Sequence, residues 1–392
     1  MPPDAPVPAD PRLPYRDASL AIETRARDLL ARMTREEKLA QIVGVWSTTL
    51  RDESGFSAEK ARRELAHGIG HVTRIGAATT LRPAESARFA NEIQRFLREQ
   101  TRLAIPAIVH EESCAGYTAR DATCFPQALG LAASFEPALV EEMGRVIRAQ
   151  MRAVGAHHTL APVLDVARDP RWGRMEESFG EDPYLVAQMG VAYVRGVQGE
   201  DLAQGVAATG KHFLGYAASE GGLNWAPAHL GPRELRDVYA FPFEAAIHEA
   251  GLASVMNAYH ELDGVPCGAS RELFEELLRK RLGFTGVVVT DYFTVPPSRA
   301  ITAWRPTRPR RPASRSRPEW TSSCRSEMPM ATRWRKPSGR GASTPRWSIA
   351  QCFACCARSS RSASSNVRSS TRGAQRRSSI RRSSGRSHAG WP

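Results

Sequence analysis

Apolar residues recur along the chain in two alternating rhythms. Short, mainly apolar runs, which mark strands buried in a sheet, stand at 69–75, 105–109, 159–163, 205–209, 252–256 and 287–289. Longer stretches with apolar residues at helical spacing fill the intervals at 82–99, 137–154, 183–198, 232–250 and 270–282. Ahead of them, 19–33 and 34–42 read as two amphipathic helices. Thr34 followed three residues on by Glu37 is a capping-box signature for the second.

Strands and helices alternate without antiparallel hairpin signals, which predicts an α/β fold with a parallel sheet and crossover helices. At least six such units in one domain-sized stretch fit a (β/α)8 TIM-like barrel better than a doubly wound sheet. The expected barrel domain spans 19–295, after a lead-in segment rich in Pro and Asp over 1–18. The last run, 286–293, ends in Asp291 flanked by Tyr292 and Phe293. A carboxylate where a buried parallel strand surfaces is either a helix cap or part of the catalytic rim of such a sheet.

From residue 296 the pattern stops. Residues 296–392 hold 21 Arg, 21 Ser, one Lys and no Asp, with no apolar periodicity. The barrel is therefore expected to be incomplete at its C-terminal end and followed by a disordered Arg/Ser-rich tail. That tail reads either as a nucleic-acid-binding segment or as out-of-frame translation of a GC-rich message. Its abrupt start and its excess of Arg over Lys favour the second, and the nucleotide sequence near codon 295 decides between them.

Charge changes meaning when it is located. The formal net charge of +13 suggests a nucleic-acid partner, but residues 1–295 carry 32 Lys+Arg against 39 Asp+Glu. Any nucleic-acid contact is thus expected to be non-specific and confined to the tail. No apolar run approaches a membrane span. The first twenty residues hold six prolines and no apolar signal core, and Cys114, Cys124 and Cys267 show neither metal nor disulfide spacing. The expected compartment is cytoplasmic.

Five successive predicted strands end in polar groups: Glu112, Asp165, Lys211 with His212, Asn257 with Tyr259, and Asp291. A barrel gathers such ends on one face. Carboxylates and cations (Arg174 included) among aromatics such as Trp172, Tyr259 and Tyr292 suit a sugar, and a carboxylate beneath the ring can attack the anomeric carbon. Each residue also has a plainer reading. Arg174 pairs with Glu177 in its own loop, Lys211 sits in a strand-end ion pair, His212 is a core histidine, and Met256 and Tyr259 are core. No glycine-rich phosphate loop, Gly-x-Ser-x-Gly elbow or His-Glu-x-x-His motif is present.

Residues 167–182, ARDPRWGRMEESFGED, closely resemble the signature loop of glycoside hydrolase family 3. Lys211-His212-Phe213, the stretch 254–259 with Asp263-Gly264-Val265-Pro266, and Val289-Thr290-Asp291-Tyr292 resemble further motifs of that family in the right order, within about 34–293. The resemblance implies that Asp291 is the nucleophile and that Lys211, His212, Arg174 and Glu112 bind the hydroxyls of the sugar being cleaved. It further implies that Tyr259 donates a hydrogen bond toward Asp291 and that Met256 lines the pocket. Two departures stand out: Ala115-Gly116 where the family usually has His-Gly, and Thr290 where it usually has Ser.

The implied function is a retaining exo-acting β-glucosidase or β-xylosidase taking a β-linked oligosaccharide or glycoside, with no metal or organic cofactor. In that branch the general acid usually comes from a following α/β domain, so this chain is expected to be inactive or impaired. Two alternatives stand beside it. One is a β-N-acetylglucosaminidase, whose branch carries an Asp–His pair in the loop after Lys-His-Phe; here 217–230 holds His229 without a preceding Asp-Ser. The other is a non-catalytic sugar- or nucleic-acid-binding protein on the same scaffold.

Overall fold

The computed structural model describes residues 13–294. The tail from 296 and most of the lead-in segment lie outside the described residues. Seven parallel strands form one sheet in chain order: β1 (Gly44–Trp46), β2 (His71–Thr73), β3 (Ile108–Glu111), β4 (His158–Thr159), β5 (Ala207–Phe213), β6 (Ser254–Asn257) and β7 (Val287–Val289). This is a TIM-like α/β barrel, incomplete among the described residues. Its curl is visible at its two ends: Trp46, closing β1, stacks on Tyr292, just past β7, with ring centroids 5.4 Å apart.

Helices cover the outside of the sheet. The principal ones are α1 (Ile22–Arg32), α2 (Arg35–Ala40), α3 (Ala58–Glu64), α4 (Pro83–Gln100), α5 (Ala128–Ala132), α6 (Pro137–Ala153), α7 (Pro183–Gln198), α8 (Phe241–Ala250) and α9 (Glu272–Arg281), the last with π-helical bonding. The capping box expected at Thr34 is present: Glu37 N–H donates to Thr34 Oγ1 and Thr34 N–H donates to Glu37 Oε2. Part of the lead-in docks on the body, where Tyr15 is buried and its hydroxyl donates to Leu103 O at 3.0 Å.

Helix α7 is buried almost all round because it is sandwiched between α6 and α8. The tightest approach is glycine on glycine: a Cβ on Gly196 would lie 2.3 Å from Glu141 O and 2.9 Å from Gly144 Cα. Strands β3, β5 and β6 are buried along their whole length. His71, His110 and His158, from three adjacent strands, sit with ring centroids 5.8–6.4 Å apart. Burial lowers the pKa of His71 to about 4 and that of His158 to about 3, so both are uncharged at neutral pH.

Several elements differ from the pattern-based expectation, among them helices α3 and α5, which the pattern did not mark. The strand expected at 159–163 stops at Thr159, because Pro162 has no N–H to continue the ladder; Val163 beyond it makes only isolated bridges, to Ser178 and Lys211. The helix expected over 232–250 is broken into Pro232–Glu234, a π turn at Leu235–Tyr239 and α8, whose second residue is Pro242. The strand Gly44–Trp46 was not expected, since three residues are too few to carry a periodic signal.

Candidate active site

The two residues after Gly210 on β5 organise the site. Opposite β6 the register slips: Gly210 pairs with Val255, but Phe213 pairs with Asn257, so β5 carries one extra residue. Such a bulge breaks the alternation of faces. The consecutive Lys211 and His212 both reach partners from the ends of other strands, where a regular strand would point one of them away.

Lys211 Nζ lies 3.1 Å from Glu112 Oε2, just past β3. Burial works against the lysine charge, but the Glu112 carboxylate outweighs it and its pKa lies above the usual lysine value. His212 is fully buried. Its backbone N–H donates to Asp165 Oδ2 at 2.9 Å, and its Nδ1 lies 2.8 Å from the same oxygen. Burial raises the Asp165 pKa to about 7 and drives that of His212 well below its ordinary value.

Asp291 faces the other nitrogen of that imidazole, with 3.7 Å between Oδ2 and His212 Nε2. Its Oδ1 accepts from Tyr259 Oη at 2.8 Å and from the Tyr292 N–H at 2.7 Å. The fold sets this meeting: Val289 of β7 pairs with Met256 of β6, and both chains run on in parallel to Asp291 and Tyr259. Burial raises the Asp291 pKa above the ordinary carboxylate value, against the opposing effect of the Tyr259 bond. Asp165 Oδ1, His212 Nε2 and Asp291 Oδ2 are buried and have no hydrogen-bond partner among the described residues. Buried polar atoms of this kind are normally satisfied, so the neighbouring His212 Nε2 and Asp291 Oδ2 mark a surface suited to a hydroxylated molecule.

Arg174 is engaged where the plainer reading put it. Its Nε and Nη2 each donate to Glu177 at 2.7 Å, and its guanidinium lies 5.9 Å from the centre of the Tyr216 ring. Burial raises the pKa of Glu177, but the paired Arg174 prevails and holds it below the usual value. A carboxylate held ionised this way is a poor proton donor at neutral pH. Met256 is buried within β6 opposite Val289, the position of a core residue. Trp172 is 1% exposed and packs edge-on against Tyr216, so it is not an open pocket wall. Tyr292 turns toward Trp46 and lies 3.2 Å from His110 Nε2.

The structure therefore brings Glu112, Lys211, His212, Tyr259 and Asp291 together with Asp165. The sequence placed Asp165 at a strand end without linking it to His212. Two further aromatics carried no sequence signal as site residues. Tyr216 is a hub, edge-on to His212 at 5.0 Å and stacked on His260 at 5.6 Å. Trp225 stacks on Tyr259 at 4.9 Å. Both lie in the loop after β5, whose apolar residues follow no helical or strand period.

The model of the glycosyl hydrolase family 3 N-terminal domain matches residues 34–306. The chain belongs to glycosyl hydrolase family 3. Among curated relatives, a β-xylosidase of Formosa agariphila is 42% identical over 200 residues, covering 48% of this chain and 28% of its own. β-Glucosidase C of Emericella nidulans is 33% identical over 300 residues, covering 71% of this chain and 48% of its own. A solved β-glucosidase from Erythrobacter marinus superposes with a TM-score of 0.68 at 36% identity, over 75% of this chain and 39% of that one. The chain thus spans less than half the length of these three proteins.

Proposed function

We propose that this chain carries the sugar-binding and nucleophilic half of a retaining exo-acting β-glycosidase, with β-glucosides or β-xylosides as substrates. The observation that carries the reading is the setting of Asp291. One oxygen is held by Tyr259 and a backbone N–H, and the other is free to attack. In the proposed reaction that oxygen bonds to the anomeric carbon as the leaving group departs with the bonding electrons, and water later cleaves the resulting ester. Lys211, His212 and Glu112 hold the ring hydroxyls, and Asp165 holds His212. Arg174 shapes the wall through Glu177 and Tyr216.

Among the described residues, no second carboxyl beside Asp291 is placed to protonate the leaving oxygen. Asp165 lies behind His212, and Glu177 is held ionised. General acid catalysis contributes roughly 10²–10⁴-fold, and its absence falls on poor leaving groups. The chain is expected to release 2,4-dinitrophenol from its activated β-glycosides while methyl β-glycosides react slower by more than leaving-group chemistry alone requires. Equal turnover of both would refute this and point to an internal donor. One observation supports that second reading: in the loop after β5, His229 Nε2 lies 2.9 Å from Glu220 Oε1, both solvent-exposed. Glu220→Gln separates the two readings, since only an internal donor loses methyl glycoside turnover with it.

A further inference from the structure

Trp225 is 61% exposed. An isolated exposed apolar residue means little, but this one is held flat. One face of its indole lies on Tyr259, with centroids 4.9 Å apart and planes 20° from parallel. That tyrosine is the residue whose hydroxyl reaches Asp291 at 2.8 Å. The free face of the indole is thus fixed one tyrosine away from the carboxylate on which the proposed function rests.

The loop that carries Trp225 is closed on itself and on its neighbours. Glu220 N–H donates to Pro227 O at 2.9 Å, Ala226 N–H to Leu223 O at 3.3 Å, and Ala228 N–H to Glu261 O at 3.0 Å. Tyr216 Oη also donates to Asn224 Oδ1, next to the indole. Gly222, at φ +69°, sits where a Cβ would lie 2.4 Å from the Arg171 backbone, so the loop is pressed against the segment that carries Trp172 and Arg174. The indole is pre-positioned before any ligand arrives, which limits the ordering cost of binding.

A rigid aromatic face suits the apolar face of another ring. The sugar whose anomeric carbon meets Asp291 occupies the buried end, among Lys211, His212 and Glu112. A ring attached to that carbon through the glycosidic oxygen extends toward solvent. We propose that Trp225 is the platform for this leaving-group ring, a second β-linked pyranose or an aryl aglycone, and so selects ring-bearing leaving groups over small alkyl ones. This inference rests on the proposed function of the site.

The test is calorimetric titration of the full chain with phenyl and methyl 1-thio-β-D-glucopyranosides and the matching xylopyranosides, which a thio linkage protects from cleavage. Wild type is expected to favour phenyl over methyl. Trp225→Ala is expected to lose about tenfold in phenyl affinity, the upper range for an aromatic pair, with methyl affinity unchanged and Trp225→Phe between the two. Equal loss for both ligands would reduce Trp225 to a prop for Tyr259 and overturn the platform. An unchanged preference in Trp225→Ala would overturn it as well. If wild type binds none of the four compounds, the sugar-site reading itself fails and takes the platform with it, a result visible without any variant.

Discussion

Tyr259 holds the reacting carboxylate directly and Asp165 holds its neighbour His212, and each is open to a single-residue test. A hydrogen bond to a charged group contributes about 1.5–3 kcal/mol. Tyr259→Phe keeps the ring beneath Trp225 but removes the donor to Asp291 Oδ1, so reaction at Asp291 is expected to slow by about 10- to 100-fold with little change in folding. An unchanged rate would remove Tyr259 from the site. The pH dependence follows from burial. Asp291 must be ionised to attack, and its pKa lies above the ordinary value. Asp165, raised to about 7, holds His212 only while it can accept. Reaction at Asp291 is therefore expected to rise with pH along a limb well above pH 4, and Asp165→Asn is expected to shift that limb downward. A wild-type limb centred near 3.8 would contradict both assignments. The same shift has a stability consequence of opposite direction: the folded pKa of Asp165 exceeds the unfolded one. Its contribution is full below about pH 4 and is lost as pH rises through about 7.

At the scale of elements, most of the long helices were legible, and the short helices and the strands less so. Helix α7 carries enough apolar periodicity to fix both of its ends, and the capping box fixed the start of α2. Strand β4, two residues long, could not be read correctly because Pro162 ends a ladder that the apolar run continues. The bulge in β5 left no trace in the pattern, yet it lets Lys211 and His212 work side by side. Register is a property of paired strands, not of one segment. The packing of α7 on α6 is testable directly. Gly196→Ala would place a methyl 2.3 Å from Glu141 O, and overpacking of this kind costs about 1–3 kcal/mol. A lowered midpoint in urea unfolding is expected; an unchanged midpoint would mean the two helices can separate freely.

At the scale of the molecule, the site depends on the curl of the whole sheet, since Glu112 and Asp291 lie far apart in sequence. That convergence was readable because five strand ends carry polar groups, and a barrel has one face to put them on. What the pattern could not supply was pairing: which nitrogen faces which carboxylate, and that Trp225 lies over Tyr259. The family match ends at residue 306, close to where the composition changes at 296. The central claim is that Asp291 is the nucleophile. The most direct measurement is mass spectrometry of a digest after incubation with 2,4-dinitrophenyl 2-deoxy-2-fluoro-β-D-glucoside or the corresponding xyloside, whose leaving groups need no proton. The expected result is a fluorosugar ester on the peptide containing Asp291, absent in Asp291→Asn. An adduct on another residue that persists in Asp291→Asn would contradict the account.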